Sequence, residues 1–136
     1  MTVLQVSEVV TFDGATRIEV TLPRPSSVGG CLAVALLLDD PRAPAIAHVV
    51  DNLGLHRWRL ANSSPITRRN DDGEAPIVGR ALYFARVASH PGITHIVAEP
   101  ANGLPVGGTA LCLELDRLRP GAAVQTLSDL VAGMRN

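Results

Sequence analysis

Lysine is missing from this chain, and all twelve basic residues are arginine. Arginine can serve at most surface positions that lysine takes, so the bias is compositional and not a demand of the fold. Together with abundant alanine, glycine, proline and valine, it points to a GC-rich bacterial genome or to a virus that infects such a host. Aromatic residues are scarce too, at 3%: Phe12, Trp58, Tyr83 and Phe84. Few rings remain to stack on sugars or bases, which counts against a lectin or a single-strand binder. The formal charge is −1 and no basic run exceeds Arg68-Arg69, which argues against a nucleic-acid partner. Two cysteines make no disulfide framework, so Cys31 and Cys112 read as free, semi-buried thiols. Whether they lie close enough to bridge is left open by sequence. The longest apolar run, 31–38, is too short to span a bilayer, and the N-terminal MTVLQVSEVV has no basic region and no apolar core of an export signal.

What the chain does have is strand rhythm. Its 136 residues fit one domain, and 46% hydrophobic against 18% charged residues exclude a disordered chain. Residues 4–12 alternate with one polar interruption, predicting a strand with Leu4, Val6, Val10 and Phe12 inward. Asp13-Gly14 then predicts a hairpin turn into 16–22, where Ile18, Val20 and Leu22 face inward. The run CLAVALLL at 31–38 is apolar on both faces, so something must cover both sides of it. A short strand at 45–50, the turn Asp51-Asn52-Leu53-Gly54 and a strand at 57–60 follow, with Trp58 and Leu60 inward. Residues 62–76 predict a surface loop and a candidate contact region. Further strands are expected at 77–87, 93–99 and 107–115, the last with Leu111, Leu113 and Leu115 on one face. Eight strands without a helical period predict an all-β, antiparallel β-sandwich, jelly-roll-like, over 1–118. Trp58, Ile18, Val20, Leu82 or Tyr83, and Leu113 are expected in one core. Residues 119–136 form a C-terminal arm or helical turn, capped by Thr126 or Ser128, with Leu127, Leu130, Val131 and Met134 as its stripe.

Residues that could carry chemistry do not form a constellation. His48, His56, His90 and His95 show no metal-ligand spacing. NDDGE at 70–74 lacks the ligand spacing of a calcium loop and reads as a hairpin tip. Ser26-Ser27 and Ser63-Ser64 sit in no nucleophile elbow, and the Gly-Gly pairs precede strands, not helices. No catalytic, cofactor or metal site is expected, and the chain does not read as an enzyme.

The residues do resemble a known pattern. Gly30-Cys31-Leu32 opens an apolar strand, and Asp51-Asn52-Leu53-Gly54-Leu55-His56-Arg57-Trp58-Arg59-Leu60 matches an Asp-x-x-Gly-Asn-x-Trp-x-Leu template with one extra residue before the tryptophan. Leu82-Tyr83-Phe84-Ala85, Ile93-Thr94-His95-Ile96-Val97 and Leu113-Glu114-Leu115 complete it before Leu118. The pattern resembles a family of small jelly-roll or β-sandwich domains in phage virion and bacterial surface proteins. Cys31 stands where that family has Asp, and Leu55-His56 replaces Asn and its neighbour. The resemblance implies a non-catalytic structural virion protein, a capsid-decoration or minor head subunit located in the virion, and it transfers no active-site residue. A tail accessory protein or a carbohydrate-binding surface adhesion module is the alternative. The two apolar surfaces, residues 31–38 and the stripe of Leu127, Leu130, Val131 and Met134, lead us to expect partner contacts, with the tail as an arm that covers its own or a neighbour's sheet. The expected partners are further copies, as a trimer or ring, and a major capsid or tail protein, with no nucleic acid, membrane or cofactor.

Overall fold

The computed structural model describes residues 3–40, 46–54, 58–87, 90–116 and 120–135. Its strands are β1 (Val3–Val6), β2 (Val10–Ala15), β3 (Ile18–Thr21), β4 (Cys31–Leu38), β5 (Ile46–Asp51), β6 (Arg59–Thr67), β7 (Ile77–Val87), β8 (His95–Pro100) and β9 (Val106–Leu115). One helix, α1 (Pro120–Arg135), follows them. The larger sheet runs β1-β9-β4-β7-β6, with β2 also on β9, and the smaller runs β3-β8-β5. All pairings are antiparallel.

From β2 onward the chain wraps alternately between the two sheets, as a jelly roll does. The departure is β6. The Trp58 N–H donates to the Val49 carbonyl on β5 at 3.0 Å, so the segment starts beside the smaller sheet. It then crosses to pair with β7, with a register shift between Leu60 and Asn62. Strands that change sheets through such irregularities make the corners of sandwiches.

Three layers result. Leu32, Val34, Leu36 and Leu38 of β4 point into the sandwich and meet Ile18, Val20, Val49, Ile96, Trp58, Leu82 and Phe84. Cys31, Ala33 and Ala35 point the other way, with Ala81, Tyr83, Ala85, Leu111, Leu113 and Leu115, and α1 covers them with Ala123, Val124, Leu127 and Val131. The strand that is apolar on both faces is therefore covered by the second sheet and by the chain's own C-terminal segment.

Several expectations need correction. Leu113 belongs to the helix layer, not to the core of Trp58, Ile18, Val20 and Leu82, because the larger sheet is apolar on both sides. In β1 the parity is reversed: Gln5 and Ser7 are buried while Val6 is 39% exposed. A one-residue shift inverts a strand's faces, and here it follows the register shift between Val3 and Gln5. Asp13-Gly14 closes no hairpin. Gly14, at φ +60°, sits in an irregularity of β2 against β9, while β3 pairs in the other sheet. Leu60 is 54% exposed, since β6 overhangs the narrower sheet. For the same reason the polar stretch through Thr67 is an edge strand and not loop, and only the tip, with Asn70 and Gly73 hydrogen-bonded, is a turn. Finally α1 begins at Pro120, a residue suited to a first helical turn, while Thr126 lies inside the helix and donates to the Ala122 carbonyl at 2.9 Å.

Candidate functional site

The motif residues converge first on Asp51. Its Oδ1 accepts the N–H groups of Leu53 and Gly54 at 3.0 and 3.1 Å, which shapes the turn after β5. Its Oδ2 accepts the Trp58 indole N–H at 3.0 Å and Arg86 Nη1 at 2.9 Å. The carboxylate is fully buried and the Arg86 side chain only 9% exposed. All four donors come from the fold itself. The Asp-x-x-Gly…Trp spacing thus builds a joint between the turn, the sheet-crossing segment and β7.

A second buried carboxylate, Glu114 on β9, has the same character. Its Oε1 accepts Gln5 Nε2 at 2.9 Å and its Oε2 accepts the Ser27 N–H at 2.8 Å. Gln5 also binds the Arg24 backbone on both sides, at 3.0 Å each. A side chain at Gly30 would place a Cβ 2.4 Å from Glu114 Oε2, so glycine there lets the loop close over the carboxylate. Sequence gave no hint of this network, because Gln5 and Glu114 are 109 positions apart.

The thiols occupy neighbouring strands but opposite faces. Cys31 lies under α1, and Cys112, paired in register with Val34, points into the sandwich, so no bridge can form between them. Burial pushes the Cys31 thiol up to about 11 from an ordinary value near 9. Burial, and then the Glu114 charge, push Cys112 further in the same direction. The folded chain therefore keeps protons that the unfolded chain loses from about pH 9 upward, and stability is fully present below that pH and falls as pH climbs toward 11. Urea midpoints measured across that range should decline, and decline less steeply in Cys31→Ala.

His48 and His95 lie on the outer face of the smaller sheet, each near a glutamate: Nε2 to Glu99 at 3.9 Å and to Glu19 at 3.7 Å. His90 is exposed and His56 lies outside the described residues. Among the described residues, no group of three or more His, Cys, Asp or Glu could hold a metal ion. Nor is any described helix long and apolar enough to cross a membrane.

Of the residues expected to contact a partner, Leu127 and Val131 are buried against the chain's own sheet, so within one chain the tail covers its own sheet. Leu130 is 37% exposed at the edge of the stripe, and the Met134 side chain lies outside the described residues. Thr67, Arg68 and Arg69, from the expected contact region at 62–76, form one wall of a groove of about 890 Å³, with Leu37, Leu38, Asp39, Ile66, Val78, Gly79 and Thr109. A smaller hollow of about 350 Å³ lies on the outer face of the second sheet, around Glu19, His95, Val97 and Glu99. No protein-family model matches the chain, and no curated protein or solved structure matches it significantly.

Proposed function

We propose that this chain is a non-catalytic structural subunit of a phage particle, a capsid-decoration or minor head protein of a phage of a GC-rich bacterium. The observation that carries this reading is how the motif residues are used. Asp51, Trp58, Arg86 and Glu114 are all engaged in holding turns and crossing segments, which is how a scaffold uses buried polar groups. The jelly-roll wrapping supports it by analogy, since that architecture recurs in capsid and lectin domains. The resemblance quoted from Gly30 to Leu115 supports it in the same way.

Self-assembly as a trimer or ring, or docking on a larger shell, is part of this proposal. The apolar face of β4 and the helix stripe cover each other, so the exposed valines Val3, Val6 and Val9 along the β1 edge favour a contact. Mass spectrometry of gradient-purified particles, separated into heads and tails, tests the placement. The protein is expected in the head fraction. Recovery only with tails would favour the tail accessory reading, and absence from particles would overturn both.

A further inference from the structure

The groove beside Arg68 and Arg69 opens where Leu37 and Ile66 pack at the border of the helix-side core. Its volume of about 890 Å³ falls within the range of small-ligand sites. The floor is apolar at Leu37 and Ile66, and Gly79 adds no side chain to it. Arg68, Arg69, Asp39 and Thr109 also line the groove and bring charge and hydrogen-bonding groups to it. Neither guanidinium has a hydrogen-bond or ion-pair partner among the described residues, whereas those of Arg17, Arg80 and Arg86 do.

Those features restrict the ligand. Guanidiniums with open donor edges suit a planar carboxylate. No aromatic ring is among the described lining residues, so neither a nucleobase nor a sugar ring could be held by stacking, and a sugar would have to rest on Leu37 and Ile66 instead. A bare inorganic anion would meet the arginines, be repelled by Asp39 and leave the apolar floor in water. A ligand that uses the whole groove needs a carboxylate, hydroxyl donors for Asp39 and an apolar C–H face for Leu37 and Ile66. A sugar acid carries all three on one ring. Asp71, Asp72 and Glu74 follow on the same hairpin tip, which removes long-range attraction and leaves recognition to direct contact.

We infer that this groove binds an acidic saccharide, its uronic-type carboxylate held by Arg68 and Arg69. This goes beyond the particle role, since a head or tail subunit can take its place with or without a glycan contact. The test is titration of trigalacturonate into the isotope-labelled full chain, followed by backbone amide shifts. Saturable shifts are expected at Leu37, Ile66, Gly79 and Thr109, with neutral galactotriose giving none. Affinity should fall at least about tenfold in Arg68→Gln/Arg69→Gln, as loss of paired charge-assisted bonds requires. Arg59→Gln, which removes an exposed cation of β6 outside the groove, should bind like the wild type. The same spectra report whether each variant is folded. Absent groove shifts, equal shifts with the neutral sugar, or an equal loss in Arg59→Gln would each overturn the assignment.

Discussion

Replacing Asp51 with alanine is expected to remove about 3–5 kcal/mol of stability, the usual cost of stranding one partner of a buried ion pair. The reason lies in what is left behind. Arg86 would remain nearly buried without its counter-charge, and the Trp58 indole and two turn N–H groups would lose their acceptor. Against a total of roughly 5–15 kcal/mol for a domain, that is about a fifth of the margin or more. Asp51→Asn keeps an acceptor for the turn, but it removes the charge from Arg86 and turns an amide NH2 toward the Trp58 and Arg86 donors, so its cost should fall in the same range. Urea denaturation followed by the fluorescence of Trp58, the chain's one tryptophan, reads both, since its indole is bonded to the altered group. An unchanged midpoint in Asp51→Ala would mean that the turn is held by backbone contacts alone. The joint at the centre of the family-like motif would then need another explanation.

The parts of this fold legible in sequence are those decided locally. The alternation at 16–22 places Ile18 and Val20 inward whatever the rest does, and both are buried. The double-faced apolar run of β4 announces that it is covered twice, and it is. What could not be read depends on distant partners. Gln5 turns inward because Glu114 waits for its amide, which no alternation near Gln5 reveals. Leu113 reads as core from its own strand, but the choice between two apolar layers is made by the register of β9 on β4. The polar stretch of β6 resembles loop because an edge strand that overhangs a narrower sheet buries little on either face.

The groove was half legible. Residues 62–76 stand out in sequence as an exposed polar connection, and Thr67, Arg68 and Arg69 come from it. The floor does not stand out, because Leu37, Gly79 and Thr109 come together only through the pairing of β4 with β7 and β9. No spacing rule links positions that three strand registers bring together. The helix shows the same division. Its stripe is visible as Leu127 and Val131, but its first turns rest on Ala123 and Val124 over an alanine-rich sheet face, where small residues give periodicity little contrast.

That helix supports the second large effect. Leu127 is fully buried between α1 and the sheet face that holds Cys31, Ala33, Ala35, Leu111 and Leu113. Truncating a core leucine costs about 2–5 kcal/mol, and a carboxylate in its place adds a desolvation penalty that undocking avoids. Leu127→Asp should therefore release α1 while the sandwich, which shares no buried side chain with that layer, stays closed. The two free cysteines report the difference, because Cys31 lies beneath the helix and Cys112 inside the sandwich. A thiol reagent is expected to label neither cysteine in the wild type, Cys31 alone in Leu127→Asp, and both in denaturant. Leu130→Asp, at the exposed edge of the stripe, should behave like the wild type in this assay. If both thiols of Leu127→Asp react together at one rate, the helix and the sandwich unfold as a single unit and the layered account of their stability fails. Labelling of Cys31 alone would establish α1 as a separable cover over an apolar sheet face.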